Sequence, residues 1–110
     1  MCRIFAGQDP AGFKCVTRSV RLSGHATSIR LEAAFWLILD EIAERQGLTT
    51  PRFLSILYDE VTELRGTIPN FTSLLRTTCL LHLSGAEPDP LELSRLTELA
   101  SGRTEPATAA

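Results

Sequence analysis

No apolar run in the 110 residues approaches the roughly 20 residues that a membrane-spanning helix requires. The N-terminus also lacks the basic and then apolar order of a signal peptide. A cytoplasmic protein with no membrane partner is therefore expected. Cysteine is sparse: Cys2, Cys15 and Cys79 form neither a disulfide framework nor a CxxC pair, so they read as reduced thiols. His25 and His82 stand at no triad or metal-ligand spacing and read as a turn residue and a helix-surface residue. Neither a metal nor a cofactor is expected. A surplus of positive charge is missing too, since the net charge is -2, which for the chain as a whole argues against a polyanionic partner.

The distribution of charge modifies that exclusion. Residues 1–31 carry Arg3, Lys14, Arg18, Arg21 and Arg30 against Asp9 alone, whereas the remainder carries six arginines against twelve acids. A basic section followed by acidic helices is the pattern of a protein in which one end faces a polyanion. Fluctuation of charge along a short chain gives the same pattern without a ligand.

Length allows one small domain. Residues 1–16 hold two glycines and a proline with no sustained period and read as an irregular lead-in. Two alternating runs follow, Ser19 to Ser23 and Thr27 to Glu32. They are separated by Ser23-Gly24-His25-Ala26, in which Gly in the first central place suits a type II′ hairpin turn. In the second run Ile29 and Leu31 share one side, and Ser28, Arg30 and Glu32 the other. At Ala33 the period lengthens, and Phe35, Ile38, Leu39 and Ile42 fall on one face of a helix that runs to Gln46 and stops at Gly47. A second helix opens on Thr49 or Thr50, with Pro51 in its first turn, and continues to about Arg65. Its stripe is Leu54, Leu57, Tyr58, Val61 and Leu64. A third, capped by Asn70 or Thr72, runs through Leu83, with Phe71, Leu74, Leu75, Thr78 and Cys79 on one face. Residues 84–110 read as a polar tail with a weak helix at 90–100, and the final RTEPATAA as disordered. Trp36, Tyr58 and Cys79 read as packing residues.

A single strand cannot satisfy its own backbone groups, so the run at 27–32 needs a partner. The stretch TSIRLEAAFW, followed by LDEIAERQGLTTPRFL and NFTSLLRTTCLLHL, resembles the ribbon-helix-helix family of DNA-binding proteins, and within it a bacterial subgroup with an extra third helix. The resemblance covers residues 17–83, and the opening MCRIFAGQDP is similar to the starts of that subgroup. It implies a mainly α fold with a short N-terminal β-ribbon, an intertwined homodimer, and a sequence-specific DNA-binding transcriptional regulator, such as a repressor, that places the ribbon in the major groove. On that basis Ser28 and Arg30 are the expected contacts to base edges. Thr49, Thr50 and Arg52, at a helix N-terminus that suits an anion, are expected phosphate contacts, and Arg21 is another. Ile29, Leu31, Phe35 and Leu54 are the expected dimer core. Glu32 reads as an acid favoured by the start of the first helix.

Two features depart from that pattern. Pro51 removes one N–H from the anion site at the second helix. If Ser19 to Ser23 flanks the central strand in both chains, the sheet has four strands and is wider than the groove. A second class therefore stays open, a dimeric protein-interaction or antitoxin-like regulatory module. An enzyme is not expected: MCRIF is similar to the MCGIF start of glutamine amidotransferases, in which the cysteine is the nucleophile, but Arg3 replaces the glycine and the helical pattern leaves no layered β-rich fold around Cys2.

Overall fold

The computed structural model describes residues 2–85, and there the chain runs through two short helices, a β-hairpin and three longer helices. It divides into a unit Met1–Leu80 and a second beginning at Leu81. The core and the candidate site both belong to the first. The weak helix expected at 90–100 lies outside the described residues.

Helices α1 (Cys2–Ala6) and α2 (Pro10–Phe13) stand where an irregular lead-in was expected. The single turn of α2 is fixed locally: Asp9 is its N-cap and accepts from the Ala11 N–H at 3.0 Å, while Pro10 fills a place that needs no donor. Four residues cannot display a helical period, so only the Asp-Pro pair signals this turn in the sequence.

Strands β1 (Cys15–Leu22) and β2 (His25–Glu32) pair antiparallel over their whole length, from Cys15 opposite Glu32 to Leu22 opposite His25. The strand at 27–32 thus finds a partner within its own chain. β1 begins four residues earlier than the sequence reading because Arg18 occupies an inward position and interrupts the apolar alternation of Val16, Val20 and Leu22. The turn also differs. Its two central residues are Ser23 and Gly24, both with positive φ (52° and 80°), which is the type I′ signature rather than type II′. Ser23 takes a conformation that serine rarely adopts, and its hydroxyl donates to Asp59 Oδ1 at 3.0 Å.

The helices α3 (Ala33–Arg45), α4 (Thr50–Arg65) and α5 (Phe71–Ser84) fall where their caps and periods place them. Gly47, at φ 71°, turns the chain out of α3. Asn70 accepts from the Ser73 N–H at 3.0 Å and opens α5. The core is built from Val20, Leu22, Ile29 and Leu31 of the hairpin, Trp36, Leu39, Ile42 and Ala43 of α3, Phe53 and Leu54 of α4, and Leu75 and Cys79 of α5. Three of the four expected dimer-core residues, Ile29, Leu31 and Leu54, are therefore already buried within one chain, and Phe35 is half-buried.

Trp36 rotates the buried stripe of α3 relative to the face read from sequence. It is 1% exposed, and its indole N–H donates to the Val16 carbonyl at 2.8 Å. Phe35 and Ile38 move to the half-buried margin. In α4 the expected stripe holds for its first half only, since Leu64 near the C-terminal end is 79% exposed. Tyr58 packs edge-on against Phe71, with ring centroids 5.3 Å apart. No helix among the described residues is long and apolar enough to cross a membrane.

α4 lies along β1 and runs in the same direction. Thr50 at its start reaches Asp40, which holds Arg18, and Asp59 further on holds Ser23 at the hairpin tip. Nine helical residues rise about 13.5 Å and five extended residues about 16.5 Å, so the two spans agree to about 3 Å.

Leu31→Ala is expected to destabilise the fold by about 2–5 kcal/mol, as for a large-to-small change in a closed core. Leu37→Ala, at a side chain 70% exposed, is expected to change stability by less than about 0.5 kcal/mol. Urea unfolding of the two variants checks both; equal effects would place the core of α3 elsewhere.

Candidate nucleic-acid interface

The two faces of the hairpin differ sharply. Directly opposed residues share a face, so the register sorts the strands into an inward set, Val16, Arg18, Val20, Leu22, His25, Thr27, Ile29 and Leu31, and an outward set. The outward set contains Thr17, Ser19 and Arg21 from β1 and Ala26, Ser28 and Arg30 from β2, all exposed.

The inward face is fixed by a polar junction at its margin. Arg18 donates from both terminal nitrogens to Asp40, at 2.9 and 3.2 Å, and its guanidinium lies 4.5 Å from the Trp36 ring centroid. Thr50 donates its hydroxyl to the same Asp40 at 2.6 Å. One carboxylate thereby joins β1, α3 and the first turn of α4. Chiefly through its bonds from Arg18, and further through Thr50, the Asp40 carboxyl is held below the usual aspartate range against an opposing desolvation.

A second junction holds α5. Glu32, at the end of β2, makes no capping bond to α3 and instead accepts from Arg76 Nε and Nη2 at 3.0 and 3.1 Å. Glu32 thus stands at the N-cap of α3, where the sequence reading put it, with its carboxylate turned to Arg76. The Arg76 bonds lower the Glu32 pKa.

Arg30 and Ser28 are where the sequence reading put them, on the outward face of β2. Among the described residues no hydrogen bond or ion pair joins Arg30, so its guanidinium is available to a ligand. Arg21, read as a phosphate contact, lies on this same face and donates one N–H to the Gly24 carbonyl at 3.1 Å. Thr17 and Ser19 were not singled out from the sequence. The signal for them was the alternation of Thr17, Ser19 and Arg21 with Val16, Val20 and Leu22, masked by Arg18.

The start of α4 is more occupied than expected. Thr49 is the N-cap, its Oγ1 accepting from the Arg52 N–H at 3.3 Å; Pro51 has no N–H, and the Thr50 proton is given to Asp40. Little donor capacity remains there for an anion, and the exposed Arg52 side chain is the charged group of that turn. Cys79 is buried, donates to the Phe35 carbonyl at 3.6 Å, and is pushed up to about 11 by desolvation, which keeps it a protonated core thiol. Among the described residues no group of three or more His, Cys, Asp or Glu side chains is placed to hold a metal ion.

A two-stranded antiparallel ribbon with a polar outward face, followed by helices, is consistent with a ribbon-helix-helix domain. The family model for that domain matches residues 15–83, and the chain belongs to this family. It is similar to a solved structure of an uncharacterized protein from Bordetella pertussis Tohama I, with 42% identity and a TM-score of 0.73, covering 82% of this chain and 75% of that one. Among curated proteins none matches the chain significantly.

The two lowered carboxylates set an acid limit. A folded-state pKa below the unfolded value contributes stability that is present above the unfolded pKa and lost as pH falls through the folded one. Stability is therefore expected to be level through neutral pH and to decline below about pH 4. Asp40→Asn is expected to flatten that decline, measured as the difference between unfolding midpoints at pH 7 and pH 3. An undiminished decline in the variant would show that the Arg18 pair does not set it.

Proposed function

We propose that the protein is a sequence-specific DNA-binding transcriptional regulator that works as a cytoplasmic homodimer and presents an antiparallel β-ribbon to the major groove. The observation that carries this reading is the outward hairpin face, where Arg30 stands exposed with its guanidinium uncommitted beside Ser28, in a chain whose family is typically DNA-binding. A two-stranded ribbon fits a groove roughly 12 Å wide. Arg30 supplies a bidentate donor pair for guanine, Ser28 a hydroxyl for several base edges, and Arg52 a charge for a flanking phosphate. The protein acts as a binding module rather than an enzyme.

One observation favours a second reading, the dimeric protein-interaction or antitoxin-like module. The hairpin is complete within one chain, so joining two of them edge to edge through β2 makes a sheet whose outer strands are about 14 Å apart, too wide to enter the groove as a unit. Salt separates the readings: DNA affinity falls steeply with salt as counterions are released, and an apolar protein interface hardly responds.

Titration of duplex DNA at two salt concentrations, with Arg30→Ala as the variant, tests the proposal. The variant is expected to lose about 1–3 kcal/mol on the preferred site and to relax discrimination at one base position, with folding unchanged. Unaltered affinity and preference in a folded variant would remove the ribbon as the reading surface. For the dimer, the thermal midpoint is expected to rise with protein concentration, because association stabilises the folded state by mass action. A midpoint independent of concentration, with a monomer in sedimentation at micromolar protein, would defeat it.

A further inference from the structure

The two strands of the hairpin are near copies of each other. Ser19-Val20-Arg21-Leu22 in β1 returns as Ser28-Ile29-Arg30-Leu31 in β2, nine residues further on. Burial repeats with it, since Val16 to Leu22 and His25 to Leu31 pass through the same order of exposed, half-buried and buried positions. The pairing is centred on the repeat. Ser19 stands opposite Ser28, and exchanging each residue for its counterpart nine places away carries every pair from Val16–Leu31 to Leu22–His25 onto another pair of the same ladder. A local two-fold axis between the two serines thus relates β1 to β2. We infer that β1 is an internal stand-in for the β2 of a second copy of this chain, and that two copies associate by displacing β1 and pairing β2 with β2. This deepens the homodimer reading above and rests on it.

The slot under β1 suits the substitute. A second copy's β2 in the register of β1 sets isoleucine at the place of the buried Val20 and leucine at that of the buried Leu22, so the core gains one methylene and loses nothing. Apolar changes that nearly conserve volume are the ones a core tolerates. The backbone bonds are kept as well, including the carbonyl that the Trp36 indole N–H needs, because any residue at the place of Val16 supplies one. The sheet stays two strands wide. One position breaks the match: Arg18 donates twice to Asp40 and lies over the Trp36 ring, but its counterpart is Thr27, which can do neither. Arg18 is therefore a latch that favours the closed chain, and the Ser23 bond to Asp59 at the hairpin tip acts in the same direction. Against them stands the turn itself. It holds Ser23 at φ 52°, a conformation that serine rarely adopts, so opening the hairpin relieves it.

The test places cysteines on the axis of the full chain, in a background carrying Cys2→Ser and Cys15→Ser, and follows association by sedimentation. Directly opposed residues of antiparallel strands have Cα atoms about 4.5–5.5 Å apart, within the range a disulfide spans. Ser28→Cys alone is expected to give a dimer on mild oxidation, linked between the two copies of position 28, because the exchange sets them opposite each other. Ser19→Cys combined with Ser28→Cys closes the hairpin on itself. Once oxidised, that double variant is expected to stay monomeric at protein concentrations where its reduced form is a dimer. Arg18→Thr releases the latch and is expected to tighten dimerisation about tenfold or more, since an exposed ion pair and a cation–π contact are lost from the closed chain only. A dimer that persists in the oxidised double variant shows that β1 need not leave, which overturns the exchange and leaves the homodimer standing. Absence of the 28–28 link, or dimerisation that Arg18→Thr leaves unchanged or weakens, overturns it too. If neither the wild-type chain nor Arg18→Thr associates at micromolar protein, the exchange and the homodimer fall together.

Discussion

The placement of Trp36 against the hairpin is the constraint from which the remaining geometry follows. Its indole is buried beneath β1, its N–H is satisfied by the Val16 carbonyl, and Arg18 lies over its ring while gripping Asp40. The energies of these contacts are unequal. Burying a Trp side chain is worth about 3–5 kcal/mol by the cost of its truncation, and a cation–π contact about 0.5–2 kcal/mol. The Arg18–Asp40 pair is more than one-third exposed on both sides, which leaves it a contribution of order 0–1 kcal/mol. Burial holds the hairpin to α3, therefore, and the ion pair chooses its angle. Thr50, by donating to the same carboxylate, extends that choice to α4.

Fixing the inward face defines what the outward face is free to be. All the apolar residues buried in the hairpin, Val20, Leu22, Ile29 and Leu31, point one way, so the opposite side carries small polar residues and two arginines without cost to the core. The same geometry corrects a simple count of charge. Five basic residues precede residue 32, but Arg18 is neutralised by Asp40, and of the rest only Arg21 and Arg30 share the ribbon's exposed face. What a polyanion would meet is two positioned guanidinium groups. That suits discrimination between bases better than indiscriminate attraction, because it is geometry and not the number of charges that separates one base edge from another.

The long helices and the β2 side of the hairpin were legible in the sequence because their signals are local: Gly47 after α3, Thr49 and Pro51 before α4, Asn70 before α5, and Ile29 and Leu31 alternating with Ser28 and Arg30. What was hidden was decided by contacts distant in sequence. Arg18 interrupts the apolar alternation of β1 until Trp36 and Asp40 are placed beside it, so the first run was read only from Ser19 and Thr17 stayed outside it. The hairpin register was ambiguous for a different reason. A turn centred on Gly24-His25 and one centred on Ser23-Gly24 differ by a two-residue shift in pairing, which leaves every side chain on the same face, so periodicity cannot choose between them. Asp59, 36 residues away, bonds the Ser23 hydroxyl in the register that is adopted.

The intrachain hairpin also recasts why this chain would associate. A lone strand needs a second copy to satisfy its backbone, and dimerisation would then be the condition for having a ribbon at all. Here β2 is paired along its whole length with β1, and Ile29, Leu31 and Leu54 are buried without a partner. The ribbon's existence and the chain's association are thus separable. On the proposed DNA-binding reading, and with each hairpin kept closed, a second copy would set the spacing between two identical surfaces rather than complete the ribbon, since half-sites arranged by two-fold symmetry multiply selectivity. Such a dimer must leave the outward face of each hairpin open. Its contact surface then has to come from a helical face or from the strand edges, and an edge contact would widen the sheet beyond the groove. The register that pairs β2 within its own chain is the same register that restricts how two chains can meet.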